Sequence, residues 1–141
     1  MVLVKNIAQL GLGAFLFFAG NSHLYSNRKE FEAQVPTYLP LDPEFVVVAS
    51  GLVEMALGLL LFITVFEFKK YRELIGLITA IFFILIFPGN INQYVNGIDA
   101  FGLDTDQKRL IRLFFQPLLV LWALWASDGV KYFSKFKRKI S

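Results

Sequence analysis

Six side chains that could do chemistry stand in or beside stretches otherwise apolar enough to cross a membrane: His23, Glu54, Asn90, Gln93, Arg112 and Gln116. A carboxylate or an imidazole can take up and release a proton, while amides and a guanidinium donate hydrogen bonds to a carbonyl or an anion. In lipid each of these groups is expensive unless something inside the protein pairs with it. Their spacing says how they could meet. Glu54 lies ten residues into an apolar block, roughly 15 Å deep at 1.5 Å per residue. Gly51 and Gly58, at i−3 and i+4 from it, mark the same helix face as one that a neighbouring helix approaches closely. Arg112 and Gln116, at i and i+4, share a face of another block.

Four elements must position these groups. The chain has 141 residues, 56% of them hydrophobic, with sixteen phenylalanines and most of its charges in the gaps between apolar blocks. A soluble domain of this length would carry more charge and fewer uninterrupted apolar runs. A spanning helix needs about 20 mostly apolar residues, and four stretches approach that length: 2–20, 45–66, 71–88 and 110–126. The expected fold is therefore all-α, a single four-transmembrane-helix bundle over residues 1–141, with external loops at 21–44 and 89–109. A cleaved signal peptide is the competing account of the first block. Against it, the n-region holds a single lysine and the apolar run is long for an h-region.

Basic residues set the expected orientation. Lys5, Lys69, Lys70, Arg72, Lys131, Lys135, Lys137, Arg138 and Lys139 fall on one side, whereas acids balance or outnumber bases in the other two loops. By the positive-inside rule both termini are cytoplasmic and the protein is a multi-pass component of the cell membrane. The tail "KYFSKFKRKIS" reads as a juxtamembrane segment touching anionic lipid rather than as a nucleic-acid site. Trp122 and Trp125 suit an interfacial aromatic belt. With no cysteine and one histidine, disulfides, thiol relays and zinc–thiolate sites are excluded, and no metal site is expected.

In this topology His23, Asn90, Arg112 and Gln116 gather in the outer half of the bundle above Glu54, and the amides of "FPGNINQY" line the mouth of an internal polar cavity. Bland readings stand beside this one. Glu54 could be a protonated or paired structural clamp, His23 a helix cap, and the asparagines caps for carbonyls freed where the third span ends. Asp104 to Asp106 could hold a cation, but capping the fourth span is the simpler role. In "EFEAQVPTYLPLDPEF" the prolines Pro36, Pro40 and Pro43 imply an extended, non-helical course. Phe31, Val35, Tyr38 and Leu39 are apolar enough to fold back as a lid, or simply to pack at the interface.

The blocks "GNSHL", "VPTYLP", "ASGLVEMALGLLL", "IFPGNINQY" and "RLFFQPLLVLWALW", in this order, resemble the DoxX-like family of small four-helix membrane proteins. The resemblance covers most of the chain and implies a four-helix bundle. It puts His23, Pro36, Pro40, Gly51, Glu54, Gly58, Pro88, Asn90, Arg112 and Gln116 on motif positions, with Gly89 where relatives commonly have alanine. The family's namesake is a membrane subunit associated with thiosulfate:quinone oxidoreduction. Other members are linked to oxidative-stress partners, to quinone or catechol resistance, or to assisting other membrane proteins. The bundle is also similar to the vitamin K epoxide reductase type, whose thiol chemistry a chain without cysteine cannot run.

Three functions are thus expected candidates. The first is a subunit of, or accessory to, a membrane oxidoreductase system that binds a quinone-like or lipid-like molecule, with electrons supplied by a partner and no self-contained catalytic centre. The second is a non-enzymatic helper that stabilises or assembles another membrane protein. The third is a transporter or proton path through Glu54, disfavoured because only Gln9 continues the polar route towards the termini.

Overall fold

The computed structural model describes residues 2–25, 28–99 and 102–140, apart from the side chains of His23, Arg28 and Glu30. Its elements are α1 (Val2–Leu24), α2 (Arg28–Gln34), α3 (Pro43–Phe66), α4 (Arg72–Val95), α5 (Asp106–Ser127) and α6 (Gly129–Ile140), with one 3-10 turn at Lys69–Tyr71. Four stretches are long and apolar enough to cross a membrane: Val2–Ser22, Pro43–Phe66, Lys69–Val95 and Asp106–Ser127. Polarity is arranged accordingly. Gln9, Glu54, Thr64, Thr79, Gln93 and Gln116 are buried, whereas Phe18, Leu52, Leu85, Phe114 and Leu121 face outwards. Apolar exposure on this scale needs lipid to cover it, so the protein is a multi-pass membrane protein.

The helix ends obey local chemistry. Asp42 caps α3, its carboxylate accepting from the Glu44 amide at 3.1 Å, and Pro43 occupies the first helical position, where no hydrogen bond is lost. Thr105 caps α5 by accepting from the Lys108 amide at 3.2 Å. The acidic stretch 104–106 therefore works as a capping segment, with Asp104 bound by Lys108 at 2.9 Å. Asp128, left-handed at φ 60°, ends α5 and redirects the chain into α6.

Two segments depart from the sequence expectation. Residues 28–34 form α2 rather than an extended loop. Pro36 disfavours helical geometry at the residue before it but not further upstream, so the helix stops at Gln34 and the irregular course is confined to residues 35–42. Conversely, α4 does not end at Pro88; it runs through the proline to Val95. A proline is tolerated within a spanning helix where neighbours satisfy the freed backbone, and the amides beyond it are paired and so remain helical.

The bundle consists of two tightly packed pairs, α1 with α3 and α4 with α5. Glycines set the first. A Cβ on Gly58 would lie 2.6 Å from the Gly13 carbonyl oxygen and 2.7 Å from the Phe17 amide nitrogen, and one on Gly20 would lie 2.7 Å from the Gly51 carbonyl oxygen. The glycines flanking Glu54 thus meet glycines of α1. Leu12, Leu16, Leu57, Leu61, Phe83, Leu119 and Ala123 fill the centre.

At the end that holds the termini, long-range polar ties join the pairs. Lys5 binds Asp128 at 2.6 Å, and Arg72 donates to Asn6 Oδ1 at 2.6 Å and to the Ala126 carbonyl at 2.8 Å. Gln9 is fully buried and donates to the Leu61 carbonyl at 2.6 Å and to Thr64 Oγ1 at 3.0 Å, which makes it an interhelical clamp. Trp122 ties α5 to α1: its indole N–H donates to the Ala8 carbonyl at 2.8 Å. Trp125 remains partly exposed, with Lys5 Nζ 5.9 Å from its ring centre.

Candidate functional site

At the opposite end the two helix pairs enclose a cavity of about 510 Å³. Each of the four long helices contributes to it. Aromatic and aliphatic side chains form most of the wall, including Phe15 of α1, Val47 of α3, Phe83 and Ile86 of α4, and Leu119 of α5. Glu54, Asn90, Arg112 and Gln116 all open into the same space.

Gln116 organises this polar group. Its side-chain oxygen accepts from Arg112 Nη1 at 3.1 Å and from Asn90 Nδ2 at 3.4 Å, and its own amide nitrogen donates to the Phe83 carbonyl at 2.7 Å. The amide is thereby committed in both directions, which holds Arg112 and Asn90 relative to α4. Glu54, only 4% exposed, faces the same cavity as Arg112. Ser50, one turn before Glu54, lines the wall too, and its i−4 spacing from the carboxylate was a signal available in the sequence.

The cavity is covered from the loop side. Phe31 and Gln34 of α2, with Val35, Tyr38 and Leu39 after it, form part of its wall. The amides of "FPGNINQY" divide between two tasks. Asn90 faces the cavity, but Gln93 does not: its side-chain oxygen accepts from Gln34 Nε2 at 2.6 Å, and its nitrogen donates to the Ile98 carbonyl at 3.2 Å. Asn92 donates to the Gln34 carbonyl at 3.0 Å. Gln93 and Asn92 thus fasten the covering segment to α4. A Cβ on Gly89 would lie 3.5 Å from the Gln34 carbonyl oxygen, an ordinary contact, so this fastening does not depend on the glycine.

Of the sequence candidates, the structure therefore brings Glu54, Asn90, Arg112 and Gln116 together, and it places Gln93 in the fastening of α2. His23 lies in the last turn of α1, and its side chain is outside the described residues. Gln34 and Arg109 were not singled out from the sequence. Arg109 is 7% exposed and binds Asp99 at 2.8 Å and Asp106 at 3.0 Å, with a further bond to the Leu103 carbonyl at 2.8 Å. It ties Ile98, Asp99 and Leu103 to α5, and Leu103 lines the cavity. Only Asp106, at i−3, hinted at this.

An amphipathic chamber of this kind, with hydrogen-bond donors and a carboxylate at one end of an aromatic-walled space, suits a molecule with a polar head and an apolar body. Fold and site together define a four-helix membrane protein with an internal amphipathic cavity. The chain belongs to the family of a domain of unknown function, DUF8561, whose model matches residues 12–127. That span includes every cavity residue named above. No match to the chain is found among curated proteins or among solved structures.

Proposed function

We propose that this protein is a DoxX-like membrane protein that binds a quinone-like or lipid-like molecule in the cavity, as a subunit of or accessory to a membrane oxidoreductase system. The observation that carries the reading is the convergence of Glu54, Asn90, Arg112 and Gln116 on one apolar-walled space of about 510 Å³. Arg112 and Asn90 supply donors for a carbonyl or phosphoryl oxygen. Glu54, in the same chamber, is placed to exchange a proton with a redox-active head group. Reduction of a quinone to a quinol takes up two electrons and two protons. The electrons come from a redox partner, because the chain supplies neither thiols nor a histidine pair to hold an electron carrier.

Orientation and surroundings belong to the same proposal. The end bearing Lys5, Arg72 and α6 faces the cytoplasm of a cell membrane, consistent with the excess of bases there. Anionic lipid contacts α6, where Lys131, Lys135, Arg138 and Lys139 accompany exposed Val130, Phe133, Phe136 and Ile140. The alternative of a helper or scaffold using glycine-bearing faces loses support, because Gly13, Gly20, Gly51 and Gly58 pack against each other's helices inside the bundle.

The test is to purify the protein in mild detergent and identify by mass spectrometry the small molecules that accompany it, with Arg112→Ala and Glu54→Gln variants compared at equal protein amount. A stoichiometric quinone or single lipid species, lost from Arg112→Ala, is the expected result. Bulk lipid alone in every sample refutes the reading.

A further inference from the structure

A second hollow, of about 300 Å³, lies on the outer surface between α1 and α5, lined by Phe15, Leu103, Ile111, Arg112, Phe115 and Leu119, with Lys108 at its rim. Phe15, Leu103, Arg112 and Leu119 also line the central cavity, so these side chains border both spaces. Ile111 is 61% exposed, and Phe15 and Phe115 are each about half exposed. The hollow therefore opens where lipid chains lie.

The seam between α1 and α5 is not uniform. Towards the termini it is closed, with Trp122 bonded to the Ala8 carbonyl and its ring 3.7 Å from where a Cβ on Gly11 would stand. Towards the cavity Phe15 stands beside its α5 neighbours, and the close glycine packing of α1 faces α3 instead. The loop side is covered by the segment from Phe31 to Leu39, which Gln34 ties to Gln93 at 2.6 Å. Arg112, six residues into α5 and so about 9 Å below its start, stands between groove and cavity.

We infer that the α1–α5 groove is a lateral portal through which a chain-bearing amphiphile enters from the bilayer, its apolar chain lying between Phe15, Ile111 and Phe115 while its polar head passes Arg112 into the cavity. This rests on the binding proposed above and narrows it to molecules with a long hydrocarbon or isoprenoid chain. Adjacency supports it, since the groove's apolar floor and the polar cluster share Arg112. A head group that accepts hydrogen bonds meets Arg112 already in the groove and gains Asn90 and Glu54 as neighbours only after leaving it.

The chain has no cysteine, so one introduced residue can carry a plug. The full-length protein, as Phe115→Cys or as Leu121→Cys, is reconstituted in phosphatidylcholine vesicles before and after labelling with pyrene maleimide. Leu121 is 61% exposed, lies outside the groove and is the control. The probes are a phosphatidylcholine and an alkyl benzoquinone, each with a diazirine on its chain near the head group. Adducts are assigned by mass spectrometry at Glu54 and Asn90, which are 4% and 6% exposed and can be reached only from inside.

The expected result is adducts with at least one probe in unlabelled protein and in plugged Leu121→Cys, and their loss in plugged Phe115→Cys. Equal adducts in both plugged proteins overturn the portal and leave the cavity's binding role standing. Absence of adducts at Glu54 and Asn90 in every sample, with both probes, overturns the portal together with the binding it serves.

Discussion

Replacing Gly58 by alanine tests the packing that sets the cavity's first pair of walls. The added methyl would stand 2.6 Å from the Gly13 carbonyl oxygen and 2.7 Å from the Phe17 amide nitrogen, both backbone atoms that cannot rotate away. Ordinary contact requires about 3.5 Å, so α1 and α3 must part locally by about 0.9 Å. A gap of that size forfeits about a quarter to a half of the dispersion attraction along the seam, and overpacking of this kind costs about 1–3 kcal/mol. Alanine's better helix propensity returns about 1 kcal/mol, which leaves a net loss of about 0–2 kcal/mol. Gly11→Ala and Gly89→Ala are internal controls, because their methyls would meet nothing closer than 3.7 Å and 3.5 Å respectively. Thermal unfolding in mild detergent, followed by size-exclusion fluorescence, should show Gly58→Ala melting below wild type and both controls at or slightly above it. A Gly58→Ala protein as stable as the controls would refute the claim that glycine contact holds α1 against α3.

Two further predictions concern the two ends of the bundle. Burial pushes the Asp128 carboxyl up, but the Lys5 hydrogen bond and the charges of Lys5, Lys131 and Arg72 outweigh it and hold the group below its ordinary value. A depressed carboxylate contributes stability above its unfolded pKa of about 3.9 and loses it as pH falls through the folded value. Melting temperatures measured from pH 7 to pH 3 should therefore drop below about pH 4 in wild type, and less steeply in Asp128→Asn, which keeps a residue tolerant of φ 60°. The pair is partly exposed, so the difference at pH 7 should not exceed about 1 kcal/mol. At the other end, Gln93→Leu removes the bond to Gln34 but none of the Arg112–Gln116–Asn90 network. Limited proteolysis should cut residues 28–42 faster in this variant, while ligand retention by the cavity persists at reduced level; an unchanged cleavage rate would mean that α2 is held by other contacts.

Much of the architecture is legible in the amino-acid order, for a definite reason. Lipid accepts only long apolar helices with their backbones satisfied internally, so four apolar blocks between charged gaps leave four spanning helices as the economical solution. Burial of Glu54 also arises locally, since a carboxylate with glycines one turn away on each side has to face a neighbouring helix. The i, i+4 spacing of Arg112 and Gln116 likewise survives into a hydrogen bond of 3.1 Å. What the sequence could not reveal is which neighbour answers each signal. Gly58 meets Gly13, Gln9 meets Leu61 and Gln34 meets Gln93 across separations of 45 to 59 residues, and no local periodicity encodes such pairings. The end of α4 shows the same limit. Pro88 and the amides after it resemble a helix terminus by composition, yet the helix continues to Val95 because Gln116 and Gln34 supply partners. Whether a polar residue in an apolar helix faces a cavity, fastens a covering segment or locks two helices depends on which atoms fold to within hydrogen-bond reach, and that is decided only when the helices pack.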